Sequence, residues 1–183
     1  MNIFEKELKE IKNQEISSFT EIVLNNAPSK FYELGASSTS RYHPESSNGK
    51  GGLVNHTKQV FYIAMTIIDT KLPQFWCNRD VVLSACLLHD IFKYDGSNDS
   101  NYTVKNHGYK ALKWIDELKD VRMFLSVYDR KPEWYLEIMG CIHAHNGIFT
   151  TEYEGQFSTE QMIVHTADYI ASRKWNVFDQ SKV

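Results

Sequence analysis

The residues with the clearest chemical potential lie together at the end of one apolar segment. Residues 85–88 are apolar, and His89 and Asp90 follow them directly, with Lys93 three residues further on. A buried carboxylate beside a buried imidazole costs free energy unless an opposite charge or a metal ion compensates for the lost water. We therefore expect a divalent metal ion at this point of the chain.

Further residues of the kind that bind transition metals are spread over the rest of the sequence. They are His56, His107, His143, His145 and Asp168. Neighbouring residues on a helix point about 100° apart, because one turn contains about 3.6 residues. His89 and Asp90 can therefore reach one ion only at a helix end or where other helices pack against them. Metal sites in helical proteins are built from side chains that converge in this way.

The residue types also indicate which metals and which reaction to expect. A mixture of imidazole and carboxylate ligands suits Mn, Fe, Ni, Co or Zn, and Mg is a further candidate. Six ligands, with one of His143 and His145 among them, exceed the needs of one tetrahedral ion, so we expect two divalent ions bridged by Asp90 and a hydroxide. Two such ions can hold a phosphoryl group and neutralise its charge, which predicts hydrolysis of a phosphate ester.

Three basic side chains are candidates for binding the substrate phosphate: Lys93, His43 and Arg173. Lys93 lies one turn beyond Asp90, where it either holds a phosphate and assists catalysis or interacts with the helix end. His165 lies one turn before Asp168, and we expect it to pack beside the metal ligands rather than bind the metal.

Composition limits the other functional classes. The chain has 183 residues, 42% apolar and 23% charged, which predicts a single domain with its own core. The net charge of −3 argues against strong binding of duplex nucleic acid. Three cysteines without paired spacing indicate a reducing compartment, and no apolar run is long enough for a membrane span. We expect a cytoplasmic protein, with homo-oligomerisation left open.

The pattern of apolar residues predicts an all-α bundle. The expected organisation is N-terminal helices over 1–34, a loop over 35–52, a metal-binding helical core over 53–173 and a tail over 174–183. Thr103 is the expected cap of a helix over 104–118, and Ser158 to Gln161 has the spacing of a capping box. The remaining expected helices cover 2–26 (in one or two pieces), 29–34, 53–69, 79–92, 121–128 and 132–145, with a last one from 159.

Four segments, in order, resemble the HD superfamily of metal-dependent phosphohydrolases. Residues 51–57 are similar to its GGLxxHT segment, and 87–93 to LLHDIGK, with Phe92 in place of the glycine. Residues 106–108 resemble its GH element and 165–168 its closing H-x-A-D. The resemblance covers residues 51–173. It implies a helical fold in which His56, His89, Asp90, His107, His145 and Asp168 bind metal.

Within the superfamily, the chain looks most like the HD domain of YhaM-type 3′-5′ exoribonucleases. Their His-His-Gly element here reads His143-Ala144-His145-Asn146-Gly147. Alignment on the glycine puts His145 at the first histidine and Asn146 at the second, with His143 as the alternative ligand, and the apolar period favours His145. We expect no counterpart of the N-terminal OB domain of those enzymes in these residues, which favours a nucleotide or short oligonucleotide over long RNA.

The resulting hypothesis is a phosphohydrolase that cleaves a phosphomono- or phosphodiester of a small nucleotide substrate. Two alternatives remain open. Some members of the superfamily with this ligand order hold two irons and act as oxygenases, so a di-iron oxygenase is one alternative. A non-catalytic nucleotide-binding protein that keeps the metal ligands is the other.

Overall fold

The computed structural model describes residues 3–38, 43–95, 100–147, 150 and 155–176, and within them every regular element is helical. This confirms the predicted all-α class. The α-helices are α1 (Glu5–Glu10), α2 (Gln14–Asn25), α3 (Ser29–Glu33), α4 (Gly52–Asp69), α5 (Arg79–Leu88), α6 (His107–Glu117), α7 (Lys119–Leu125), α8 (Glu133–Ala144) and α9 (Thr159–Ala171). Short 3-10 turns cover Glu45–Ser47 and Pro73–Phe75.

Helix α5 lies at the centre of the packing. It contacts α2, α4, α8 and α9, and all of its residues from Val81 to Leu88 are buried. This burial agrees with the sequence, in which the segment is apolar on nearly all sides. Helix α9 also contacts α4 and α8, and α6 packs on α8. The end of α5 is therefore surrounded by four helices that carry the remaining candidate ligands.

Helix α5 ends at Leu88, four residues earlier than expected. After it the chain forms tighter turns, in which the amide of Ile91 donates to the carbonyl of Leu88 at 3.0 Å. His89 is consequently the C-terminal cap of α5, and Asp90 lies beyond the helix. This break lets two adjacent side chains face the same space, which a continuous helix would prevent.

Helix α6 begins at His107, so the prediction that Thr103 caps a helix from residue 104 is wrong. The amide of Val104 donates instead to the carbonyl of Lys93 at 2.8 Å, which ties this segment to the turn after α5. Asn106 precedes the helix in the left-handed conformation, with φ of 58°. Asparagine tolerates this conformation better than most residues.

The ends of the other helices near the centre follow the sequence signals more closely. The capping box of α9 is present: Ser158 Oγ accepts from the amide of Gln161, whose side chain accepts from the amide of Ser158. The loop before α4 folds directly over its first turn, because a Cβ on Gly52 would lie 2.4 Å from the Ser47 carbonyl oxygen. None of the helices in the described ranges is long and apolar enough to cross a membrane.

Candidate metal centre

The carboxylate of Asp90 lies in the middle of the predicted ligands and is 1% exposed. Its Oδ1 is 2.9 Å from Nε2 of His107 and 3.5 Å from Nε2 of His145. Its Oδ2 is 3.4 Å from Nε2 of His89 and 3.7 Å from Nε2 of His56. The two oxygens of one carboxylate thus face two different pairs of imidazoles.

These residues form two groups whose donor atoms lie within 4.8 Å of one another in the described part of the chain. Cluster one contains His56, His89 and Asp168, and cluster two contains Asp90, His107 and His145. In cluster one, Oδ1 of Asp168 is 3.0 Å from Nε2 of His56 and 3.9 Å from Nε2 of His89. Asp90 belongs to cluster two and also borders cluster one.

Backbone carbonyl groups fix the orientation of three of the imidazoles. In His89, His107 and His145, Nδ1 lies 2.8, 3.3 and 2.6 Å from the carbonyl oxygen of the residue three positions earlier. Because a carbonyl oxygen only accepts, Nδ1 carries the proton in each ring, and Nε2 is left as a lone pair. Histidine ligands of metals are held in this way, with Nε2 directed at the ion.

The lone pairs in the centre need a positive charge among them. Nε2 of His107 and Nε2 of His145 are 3.0 Å apart, beside Oδ1 of Asp90. Nε2 of His89 and Oδ1 of Asp90 are buried without a hydrogen-bond partner. Two ligand atoms at right angles, each about 2.1 Å from an ion, are separated by about 3 Å. The donor atoms therefore fit divalent transition metals.

The electrostatics of the centre also favour added cations. Burial opposes ionisation of Asp90, but the charge of Lys93 holds its pKa well below the usual range. Burial likewise opposes the charged forms of Lys93 and His89, whose pKa values the carboxylates nevertheless raise. Asp168 also keeps a lowered pKa despite burial, because His56 contacts it. Two carboxylates face one lysine, so the centre attracts further positive charge.

A cavity of about 410 Å³ opens onto this centre. Its lining includes Lys93, His145, Asp168, His43, Tyr169 and Arg173. All three candidates for phosphate binding thus lie on one cavity. The ring of His43 is 5.0 Å from that of His56, and burial, aided by His56 and Lys93, lowers the pKa of His43 to about 3. His43 is therefore neutral, and it can offer a phosphate a hydrogen bond but no charge.

The structure brings His145 to the centre and leaves His143 outside both clusters. His143 is half-buried, with its ring 5.8 Å from that of Tyr109. Asn146, the alternative at the second histidine position of the motif, lies with Nδ2 3.4 Å from Nε2 of His107. The apolar period of α8, which favours His145, agrees with this arrangement.

Sequence reasoning underestimated the contact between the end of α8 and α9. Nδ1 of His165 lies 2.7 Å from the carbonyl oxygen of His145, to which it donates. Gly147 has φ of 58°, and a Cβ there would lie 2.5 Å from the His165 ring. His165 thus fixes the turn that carries His145. The sequence did contain one signal of this contact, which is the glycine at position 147, two residues after the candidate ligand His145.

Tyr169 was missed altogether, although it lines the cavity beside Asp168. It is 55% exposed, and its ring lies under the guanidinium of Arg173. The only available signal was its position, directly after one candidate ligand and four residues before a candidate phosphate-binding arginine.

Two comparisons with known proteins gave matches. The model of the HD domain family matches residues 53–173. The chain is 29% identical over 127 residues to a dihydroneopterin 2′,3′-cyclic phosphate phosphodiesterase of Methanocaldococcus jannaschii, a match covering 68% of this chain and 47% of the relative. The chain thus spans about half the length of that relative. No solved structure matches it significantly. The resemblance to YhaM-type exoribonucleases is not confirmed by these matches.

Proposed function

This chain belongs to the HD domain family, and on that premise we propose that it is a metal-dependent phosphohydrolase that cleaves a phosphodiester of a small nucleotide-like molecule. The observation that carries the proposal is the buried Asp90 carboxylate, which borders two histidine-containing clusters beside an open cavity. The relative's activity on a cyclic phosphodiester supports a diester over a monoester.

We propose that the two clusters hold two divalent ions. His56, His89, Asp90 and Asp168 would hold one, and Asp90, His107 and His145 the other, which assigns no ligand role to His143. When bound, such ions supply an activated water and neutralise charge on the phosphoryl group. Asp168 is 21% exposed and lines the cavity, so substrate reaches the centre from its side.

Lys93 is the proposed catalytic cation of the chain itself. Its Nζ is 2.5 Å from Oδ2 of Asp90, and its side chain lines the cavity. An ammonium has three N–H groups, so those not taken by Asp90 can donate to a phosphate oxygen. Arg173 and the neutral His43 line the same cavity and are proposed to bind the phosphate with it.

The size of the cavity favours a small substrate. Its volume of about 410 Å³ lies at the lower end of the range of small-ligand pockets, roughly 300–1,000 Å³. A mononucleotide or a dinucleotide fits this scale better than a long RNA strand does.

The proposal is tested with protein stripped of metal and reloaded separately with Mn²⁺, Co²⁺, Ni²⁺, Fe²⁺, Zn²⁺ or Mg²⁺. We expect at least one loaded form to release product from 2′,3′-cyclic nucleotides or dinucleotides, and stripped protein to release none. Absence of turnover over this panel, with bound metal verified by elemental analysis, would reject a phosphohydrolase. Iron-dependent O₂ uptake would then favour the oxygenase alternative, and nucleotide binding without either activity the binding-protein alternative.

Replacement of Lys93 by methionine is expected to reduce kcat/KM by roughly 10- to 100-fold while metal content is retained. Lys93 donates to Asp90 and belongs to neither cluster of candidate ligands. Lys93→Arg keeps the charge and should recover part of the activity. Steady-state kinetics and elemental analysis of the same preparations check both expectations. Loss of metal from a folded Lys93→Met protein would instead indicate that Lys93 mainly maintains the centre.

A further inference from the structure

Tyr169 and Arg173 form a pair of side chains on the cavity wall, next to the candidate metal ligands. Tyr169 follows Asp168 directly, lines the cavity and is 55% exposed. The guanidinium of Arg173 lies 4.2 Å from the centroid of its ring. A large aromatic side chain left this exposed on a cavity wall, with a cation on one of its faces, is suited to take a planar ligand on the other.

Arg173 is fixed in this position by two hydrogen bonds. Its Nε donates to the carbonyl oxygen of Tyr169 at 3.1 Å, and its Nη2 donates to Oγ of Ser172 at 3.0 Å. The cation is therefore held on the ring rather than sampling solvent. This fixed arrangement also orients the Tyr169 ring before any ligand binds, which reduces the entropy lost on binding.

The Tyr169 ring lies on the same cavity as the candidate metal ligands Asp168 and His145. Tyr169 and Asp168 are adjacent residues of α9, and both line the cavity. Oδ1 of Asp168 is 3.0 Å from Nε2 of His56 in cluster one. A substrate whose phosphate lies at the clusters would place an attached ring system at the wall that Tyr169 forms.

We propose that Tyr169 is a specificity-determining residue that stacks on the planar heterocycle of the substrate. This inference rests on the proposed function and narrows it to phosphodiesters that carry a nucleobase or a similar fused ring. Stacking of a base on an aromatic side chain contributes about 10- to 100-fold in affinity. A phosphodiester without a planar aromatic ring system gains nothing from Tyr169.

Kinetics with two substrates test the proposal on the metal-loaded full chain. Adenosine 2′,3′-cyclic phosphate carries a planar aromatic heterocycle, and glycerol 1,2-cyclic phosphate carries none. Tyr169→Leu is expected to lower kcat/KM for the first by about 10- to 100-fold and to leave the second within about 3-fold. Tyr169→Phe should retain the preference. Tyr102→Leu is the control, because Tyr102 is 74% exposed and does not line the cavity. Equal effects on both substrates, or none on either, would overturn the proposal.

A binding measurement separates failure of this inference from failure of the proposed function. Calorimetry with AMP and ribose 5-phosphate requires no turnover. We expect AMP to bind about 10- to 100-fold more tightly to the wild-type protein, and Tyr169→Leu to abolish the difference. If no substrate is hydrolysed but this difference is found, the stacking role stands and the hydrolase assignment fails. If AMP binds no better than ribose 5-phosphate, the stacking role is rejected.

Discussion

Replacement of Asp90 by asparagine is expected to abolish most of the activity and to release metal from both clusters. The carboxylate faces His107 and His145 with one oxygen and His56 and His89 with the other. An amide keeps the shape but loses the charge, and its NH₂ group points protons at one of the clusters. We expect kcat to fall on the order of 1,000-fold, since charge stabilisation from both sides is lost together.

Two matched variants make this result interpretable. Asp168→Asn changes a carboxylate of cluster one only, so we expect it to lose metal from that cluster and to retain the other ion. Asp69→Asn changes an exposed carboxylate near the end of α4 and should leave metal content and kcat unchanged. Elemental analysis, kinetics and far-UV circular dichroism are measured on all three variants. A folded Asp90→Asn protein with wild-type metal content would disprove the bridging position of Asp90.

The sequence alone predicted that the regular elements are helices. It also predicted which histidines lie near Asp90. The apolar segment before His89 indicated a buried helix, and α5 is buried throughout. The ordered resemblance then indicated which histidines lie near Asp90, and His56, His107 and His145 do lie there. These features are local or motif-based, so a single chain carries enough information for them.

The remaining features depend on contacts between elements that are distant in the sequence. The tie of Val104 to Lys93 moves the start of α6 to His107, although Thr103 is a good local cap. His107 meets His145 across 38 residues of sequence. The exposure of Tyr169 on the cavity wall follows from how α9 packs and not from its own surroundings in the chain. The spacing of apolar residues within one helix does not predict contacts between elements that are distant in the sequence.

Gly108 controls how closely α6 approaches α8, and its replacement by alanine is the second change with a large expected effect. A Cβ there would lie 2.7 Å from the carbonyl oxygen of Ile142 and 3.2 Å from that of His143. Both atoms belong to the α8 backbone, so the helices must separate. The close approach also holds Nε2 of His107 3.0 Å from Nε2 of His145. We expect a loss of about 1–3 kcal/mol in unfolding free energy.

The same separation should weaken cluster two and lower kcat by about 100-fold, since a displacement of about 1 Å has that effect on a catalytic centre. Thermal unfolding should show a decrease in Tm of roughly 2–10 °C, and elemental analysis a selective loss of one ion. Gly140→Ala is the matched control within α8, because its Cβ would meet only the end of the Gln161 side chain, at 3.2 Å. That control should change stability by less than about 1 kcal/mol. Wild-type metal content and Tm in Gly108→Ala would mean that the helix contact does not position His107.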